Sequence, residues 1–119
     1  MLKVFTIKIN FLTGGATLIF ESICYNLIQG ENIVSYANTG HWSEKAITEA
    51  NYLSNGIKKY YILFIIVHIP TTIKVDEAGQ TYIPPFCEWD INEKSAFTHY
   101  CDNETVEGYE FNFTPKTPG

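Results

Sequence analysis

The sequence predicts an α/β protein, that is, part of a mainly parallel sheet with helices packed on it. Runs rich in Val, Ile and Phe alternate along the chain with segments whose apolar residues recur at helical spacing. The most apolar run, Tyr60–Ile69, has no polar alternation, which is typical of a strand buried on both faces of a parallel sheet. The resulting order, β-α-β-α-β-β, favours strands joined by right-handed crossovers.

Each predicted strand is a run of β-branched and aromatic residues bounded by turn residues. The strands are Lys3–Leu12, Ile33–Ala37, Tyr60–Ile69, Ala96–Cys101 and Tyr109–Phe113, with Thr81–Ile83 as a shorter candidate. Pro84-Pro85 and an Asp-Glu-Ala-Gly turn predict that most of Thr71–Asp90 is a long surface connection. The polar residues of Asp102–Gly108 predict a turn.

Two helices are predicted. Ala16–Ile28 has an apolar stripe at helical spacing that stops at Gln29-Gly30. The second helix has Ser43 as its N-cap and Asn55-Gly56 as its left-handed end. Its apolar face consists of Ala46, Ile47, Ala50 and Leu53, and the charged residues Glu44, Lys45 and Glu49 lie on the opposite face.

Length, charge and cysteine usage limit the class of protein. At 119 residues the chain is one domain at most, or a piece of a larger one. Its net charge of −5 provides no basic surface for nucleic acid or anionic lipid, and no apolar run is long enough to cross a bilayer. Three cysteines without a Cys-x-x-Cys motif favour free thiols, and residues 1–10 lack the apolar region of a signal peptide. We therefore expect a soluble cytoplasmic protein with no nucleic-acid or membrane partner.

Gly14-Gly15-Ala16-Thr17 lies between a predicted strand and a predicted helix. Such a turn leaves backbone N–H groups free at a helix N-terminus, where they bind phosphate, and the Thr17 hydroxyl adds a further donor. A Gly-Gly pair also occurs in turns that bind nothing. Both interpretations stay open on these residues alone.

His41-Trp42 lies at the turn from a strand into the second helix, where we expect both side chains to be exposed. An indole in this place could stack on a flat heteroaromatic ring, and the alternative is a partly buried residue at the rim of the core. The Asp102–Gly108 turn follows a strand, so its polar groups would lie at the carboxyl edge of the sheet. Ligands of open α/β sheets bind at this edge, and a solvated turn is the alternative.

Cys87, His99 and Cys101 form the one cluster of soft metal ligands in the sequence. No fourth ligand is evident, so core cysteines and a hydrogen-bonded histidine are favoured over a small metal or thiol site, and no metal site is predicted. His68, near the end of an apolar run, is interpreted as structural. No Ser-His-Asp or Cys-His arrangement, phosphate-binding loop or paired-carboxylate motif is recognisable.

Three segments, in this order, resemble phosphoserine aminotransferase. They are Phe11-Leu-Thr-Gly-Gly-Ala-Thr-Leu-Ile-Phe, Asn38-Thr-Gly-His-Trp-Ser-Glu-Lys-Ala-Ile-Thr-Glu-Ala and His99-Tyr-Cys-Asp-Asn-Glu-Thr-Val-Glu-Gly-Tyr-Glu-Phe. The connection that contains Thr81-Tyr-Ile-Pro-Pro and Glu88-Trp is also similar. The likeness covers most of Asn10–Phe113 but only the middle of that family's chain. It implies that residues 1–119 are an internal fragment of the large, cofactor-binding domain.

The resemblance implies a class V aminotransferase of fold type I that depends on pyridoxal 5′-phosphate (PLP) and is usually a homodimer with active sites at the subunit boundary. Such enzymes transfer an amino group between glutamate and 3-phosphohydroxypyruvate, giving phosphoserine and 2-oxoglutarate in serine biosynthesis. By position, Ala16 and Thr17 match the residues that hold the cofactor phosphate. Trp42 matches the aromatic residue that stacks on the pyridine ring, and Thr105 matches a cofactor-contacting Thr.

The sequence also departs from the family pattern. The family's Schiff-base Lys and the Asp that pairs with the pyridine nitrogen would follow Gly119, and its substrate-binding His-Arg segment would precede Met1; this chain contains no Arg. Ile19 stands where a Gln is common, and residues 57–80 are longer and more apolar than the family's connection, which suggests an atypical insertion. We therefore expect no catalytic residue in this chain and no activity of the chain alone. The alternative is a non-catalytic α/β remnant or interaction module.

Overall fold

The computed structural model describes residues 14–28, 32–57 and 65–117. Within them the elements are α1 (Gly15–Leu27), β1 (Ile33–Tyr36), α2 (His41–Ile57), β2 (Ile66–His68), β3 (Lys74–Val75), β4 (Thr81–Tyr82), a 3-10 helix (Phe86–Glu88), β5 (Thr98–His99), β6 (Asn103–Glu104) and β7 (Tyr109–Glu110). The predicted first strand, Lys3–Leu12, lies outside the described residues. Neither helix of the described ranges is long and apolar enough to span a membrane.

A parallel sheet with the strand order β2-β1-β5 forms the centre of the fold. Ser35 of β1 lies opposite His68 of β2, and Tyr36 of β1 lies opposite His99 of β5. Two parallel neighbours cannot be joined by a tight turn, and α2 lies in the crossover between β1 and β2. The predicted α/β fold, with a parallel sheet and helices packed on it, is confirmed.

The larger core lies between the sheet and the two helices. Successive residues of a strand point to opposite faces, so Val34 and Tyr36 of β1 share one face, and both lie in this core. The Cys24 thiol of α1 is 3.3 Å from the Tyr36 hydroxyl, and burial raises the pKa of both groups, so both stay protonated at neutral pH. The predicted apolar face of α2 is confirmed, since its contributions to this core are Ala46, Ile47, Ala50 and Leu53.

A smaller core joins the residue after β1 to loops of the second half of the chain. It contains Ala37, Trp89 and Phe111, with the Trp89 and Phe111 ring centroids 6.0 Å apart. The buried indole N–H of Trp89 donates to the carbonyl of Pro84 at 3.0 Å. The prediction that Thr71–Asp90 is mostly a surface connection is therefore wrong at its end, because this part supplies core residues of its own.

Two short antiparallel hairpins, β3-β4 and β6-β7, accompany the sheet. β4 falls within the predicted strand Thr81–Ile83, whereas β3 was not predicted because two residues are too few to show a pattern. The segment Asp102–Gly108, predicted as a turn, contains β6 in its first half. Gly108 closes this hairpin at a φ of +76°, and its N–H donates to the carbonyl of Glu104 at 2.8 Å.

Several predicted boundaries are wrong, and the strands predicted at Ala96–Cys101 and Tyr109–Phe113 are the shorter β5 and β7. Helix α2 begins at His41, before Ser43, and continues through Gly56 to Ile57. In the described part of the run Tyr60–Ile69 the strand is β2, and residues 58–64 lie outside the described ranges. In the described sheet β2 pairs only with β1, and Ile66 is exposed, so this part is not buried on both faces. An apolar run predicts that a segment is buried, but it does not show which neighbouring elements bury it.

The folded chain should lose stability as the pH falls below about 6.5. The imidazole of His99 lies against the rings of Phe20 and Tyr36, and its Nδ1 is buried without a hydrogen-bond partner among the described residues. Burial lowers the pKa of His99 below its ordinary value of 6.5, although the carboxylate of Glu104 opposes this shift. The unfolded chain therefore binds a proton at a higher pH than the folded chain. The stability is complete above the unfolded pKa and decreases as the pH falls towards the folded one.

The urea midpoint, compared between about pH 7.5 and about pH 5.5, should decrease in the parent chain and decrease less in His99→Phe. Phenylalanine fills the aromatic site without a titrating group. His41→Gln is the control because it removes an exposed imidazole, and we expect it to retain the parent's pH dependence. Equal pH dependence in the parent and His99→Phe would contradict the assignment to His99.

Candidate functional site

The carboxyl ends of β1 and β5 bring two of the predicted site residues together. Because these strands are parallel, the segments that follow them emerge at the same edge of the sheet. One segment leads to Trp42 in the first turn of α2, and the other leads through β6 to Thr105. The indole Nε1–H of Trp42 donates a hydrogen bond of 2.9 Å to Oγ1 of Thr105. The two residues thus meet at the edge where open α/β sheets bind ligands.

Two carboxylates from the β6-β7 hairpin accept hydrogen bonds from the N–H groups that begin α2. Glu104 accepts from the backbone of Trp42 and of Ser43, each at 2.8 Å. Glu107 accepts from the backbone N–H of His41 at 3.0 Å. The first N–H groups of a helix have no partner within the helix and form the positive end of its dipole, so carboxylates there are stabilising. Neither glutamate was predicted as a site residue, because each comes from a distant part of the sequence.

The side chain of Glu104 is fully buried, with 0% of its surface exposed. A buried carboxylate is costly unless hydrogen bonds replace its hydration. Each of its oxygens accepts one backbone N–H of α2, and the hydroxyl of Thr39 lies 3.5 Å from Oε1. The ion pairs found within the described ranges do not include Glu104. The helix N-terminus is therefore the positive partner of this carboxylate.

Gly40 leaves the space into which the two carboxylates fit. A Cβ atom at this position would lie 2.6 Å from Oε2 of Glu107 and 2.9 Å from the carboxyl carbon of Glu104. Both distances are shorter than real Cβ contacts, so a side chain here would displace the carboxylates. The sequence indicates only a turn at Gly40, whereas the structure shows that a Cβ here would meet the two carboxylates.

Ser43 closes the loop before α2 and does not cap the helix. Its Oγ accepts the backbone N–H of Thr39 at 2.8 Å and that of Gly40 at 2.9 Å. The predicted N-cap is wrong because α2 begins two residues earlier, which leaves the Ser43 side chain reaching backwards from the first turn. The carboxylate of Glu104 accepts the N–H groups that an N-cap would otherwise bind.

The Trp42 indole is held at its edge. His41 is exposed as predicted, but Trp42 is half-buried. The ring of His41 meets the indole edge-on with centroids 5.3 Å apart, and Nζ of Lys45 lies 4.8 Å from the indole centroid. A hydroxyl that accepts a hydrogen bond can still donate one, so the proton of Thr105 remains available to a bound molecule.

The start of α1 differs from the start of α2. Gly14 precedes it with a φ of +124°, a conformation that favours glycine. Among the described residues no side chain caps this helix, and its first turn contains no acidic residue. Ala16 and Thr17 are exposed there. In the part of the chain that the structure describes, neither residue is hydrogen-bonded to the Trp42 indole, whose partner is Thr105.

The three candidate metal ligands have different surroundings. Cys87 is exposed, whereas His99 and Cys101 are half-buried. The Cys101 thiol lies 3.4 Å from the carbonyl of Asn103, and burial raises its pKa. Among the described residues, no group of three or more His, Cys, Asp or Glu side chains is placed to hold a metal ion.

The structure forms a Ser-His-Asp row that the sequence does not show. Oγ of Ser35 lies 3.1 Å from Nδ1 of His68, and Nε2 of His68 lies 3.2 Å from a carboxylate oxygen of Asp90. Oγ of Ser35 also contacts the hydroxyl of Ser95. Ser35 is only 1% exposed, so no substrate can reach its hydroxyl. The row joins β1, β2 and the loop before β5, which agrees with the structural interpretation of His68.

Curated relatives match most of this chain, although no protein-family model matches it. A phosphoserine aminotransferase from Ruthia magnifica subsp. Calyptogena magnifica is 38% identical over 111 residues, which are 92% of this chain and 27% of the relative. One from Acinetobacter baumannii (strain ACICU) is 39% identical over 108 residues, which are 91% of this chain and 27% of the relative.

Solved structures agree with the curated relatives. The PLP-bound phosphoserine aminotransferase from Trichomonas vaginalis superposes with a TM-score of 0.70 and 33% identity over 88% of this chain and 26% of that one. This chain is similar to phosphoserine aminotransferase. The enzyme of that name from Bacillus circulans subsp. alkalophilus matches with a TM-score of 0.66 and 28% identity over 87% of this chain and 25% of that one. The chain thus spans about a quarter of the length of the phosphoserine aminotransferases it matches.

The resemblance seen in the sequence is confirmed, and the roles of the individual site residues stay predictions. The structure joins Trp42 to Thr105 and places Ala16 and Thr17 in the exposed first turn of α1.

Gly40→Ala should reduce the free energy of unfolding by roughly 1–3 kcal/mol. The added methyl group would displace the carboxylates of Glu104 and Glu107 from the N–H groups of α2. Urea unfolding followed by circular dichroism measures the effect. Adding Glu107→Ala removes the nearer carboxylate but leaves Glu104, so we expect only partial recovery. A Gly40→Ala chain as stable as the parent would show that this close approach is not a constraint.

Proposed function

We propose that this chain is the cofactor-binding part of a phosphoserine aminotransferase, a PLP-dependent transferase. In this proposal the whole enzyme transfers an amino group between glutamate and 3-phosphohydroxypyruvate in serine biosynthesis, as a cytoplasmic homodimer. The similarity to phosphoserine aminotransferases along 92% of the chain supports the assignment. The observation that carries it is the Trp42–Thr105 pair at the carboxyl edge of the sheet.

The two helix N-termini differ in a way that fits an anionic, flat cofactor. Glu104 and Glu107 already occupy the start of α2, so a phosphate there would meet two negative charges. Within the described ranges the start of α1 has neither a side-chain cap nor an acidic residue, and its first-turn N–H groups suit an anion. We therefore assign the phosphate to α1, with Ala16 and Thr17 beside it.

The indole of Trp42 would lie against the pyridine ring. Its edge is hydrogen-bonded to Thr105, and the ammonium of Lys45 lies over one of its faces, so the other face is assigned to stacking. The hydroxyl proton of Thr105 can then be donated to the cofactor. When bound, PLP supplies the electron sink for transamination. The residues of this chain bind and orient the cofactor, and we assign none of them a catalytic role.

A cofactor titration tests this assignment. PLP should quench the tryptophan fluorescence of the parent chain, and Trp42→Phe should remove most of the quenching. The other tryptophan, Trp89, is buried with its N–H bonded to Pro84 and should respond little. Equal quenching of the parent and of Trp42→Phe would contradict the assignment, and no quenching of the parent would favour a non-catalytic α/β module.

The phosphate end is tested separately with Thr17→Val. Loss of the hydroxyl donor should weaken PLP binding by roughly 3- to 10-fold and leave pyridoxal, which has no phosphate, unchanged. Thr48→Val is the matched control, because Thr48 is also an exposed helical threonine but its hydroxyl is bonded to the carbonyl of Glu44. An equal loss for PLP and pyridoxal would place the phosphate elsewhere.

A further inference from the structure

We propose that Glu104 is a positioning residue for Trp42, because its buried carboxylate determines where the indole lies at the site. The part of this inference that concerns PLP rests on the proposed function. The part that concerns the indole rests only on contacts within the chain.

Two consecutive residues of the hairpin hold Trp42 at two points. The carboxylate of Glu104 binds the backbone N–H of Trp42 at 2.8 Å, and the hydroxyl of Thr105 binds its indole N–H at 2.9 Å. The backbone and the far end of the same side chain are therefore tied to one short stretch of chain. With the backbone bound to Glu104, rotation of the indole about its side-chain bonds would break its hydrogen bond to Thr105.

The hairpin that carries these two residues is itself fixed. Glu104 lies opposite Tyr109 in the β6-β7 ladder, and its carbonyl accepts the N–H of Gly108 at 2.8 Å. The N–H of Phe111 donates to the carbonyl of Asp102 at 2.9 Å, and the Phe111 ring lies in the smaller core. The buried carboxylate of Glu104 is therefore carried by a hairpin that has anchors of its own, in addition to its contacts with α2.

Glu107 provides the comparison that separates positioning from charge. It carries the same charge and also binds the start of α2, but its side chain is exposed and its partner is the N–H of His41. Glu104→Gln and Glu107→Gln therefore remove the same charge from the same helix N-terminus. Only Glu104→Gln is expected to weaken the hydrogen bond from the backbone N–H of Trp42.

Hydrogen exchange of the two indole N–H groups measures the position of Trp42 directly. Trp42→Phe assigns the two resonances in a nitrogen–proton correlation spectrum. In Glu104→Gln the indole N–H of Trp42 should exchange with solvent about tenfold faster, because its bond to Thr105 opens more often. The indole N–H of Trp89 should be unchanged, as should both signals in Glu107→Gln.

PLP binding to the same variants gives the second measurement. We expect Kd to rise about tenfold in Glu104→Gln and by less than about twofold in Glu107→Gln. Absence of PLP binding to the parent chain counts against the proposed function. In that case the exchange rate of the Trp42 indole N–H is the measurement that tests the positioning role of Glu104. A folded Glu104→Gln chain with unchanged exchange overturns the inference.

Glu104→Asp keeps the inference testable if Glu104→Gln does not fold. Aspartate retains the charge, but its side chain is shorter by one methylene group, so its oxygens lie farther from α2. The indole N–H of Trp42 should therefore again exchange faster than in the parent. Exchange equal to the parent's in Glu104→Asp would show that the place of the carboxylate does not matter, which also overturns the inference.

Discussion

The arrangement at the carboxyl edge of the sheet depends on one interaction, the burial of the Glu104 carboxylate against the first turn of α2. The free N–H groups of a helix N-terminus need acceptors, and a buried carboxylate needs donors and a positive partner. Here the N–H groups of α2 donate to the carboxylate of Glu104 at N···O distances of 2.8 Å, so each group satisfies the other. The contact joins the hairpin after β5 to the helix after β1, and so connects the two segments that carry Trp42 and Thr105.

This interaction also gives the two helices different chemistry. The positive end of α2 is neutralised within the chain, whereas that of α1 has no acidic residue in its first turn. In the function proposed above, the phosphate of the cofactor is therefore assigned to α1 and its ring to the Trp42 indole. The phosphoserine aminotransferases to which this chain is similar include a PLP-bound member. The difference between the two helix N-termini supports this proposed placement, because PLP has a phosphate at one end and a ring at the other.

Local patterns predicted the fold where one segment contains all the information. The apolar face of α2 and the parallel strand Ile33–Ala37 are examples, since helical and strand periodicity depend only on near neighbours. The prediction failed where a distant partner replaced a local one. Ser43 matches an N-cap in sequence, but the acceptor is Glu104, whose hydrogen bond to the Ser43 N–H spans 61 positions of the chain.

The sequence by itself determined the α/β order, the resemblance to phosphoserine aminotransferase and the motifs around Gly14, Trp42 and Thr105, because each is a contiguous pattern. Only the tertiary structure decided which of these residues meet. It joined Trp42 to Thr105, buried Glu104 beneath them and gave Gly40 its steric role. These contacts arise because the segments that follow two parallel strands lie at the same edge of the sheet, even when they are far apart in sequence. Such pairing produces no periodic pattern in the sequence.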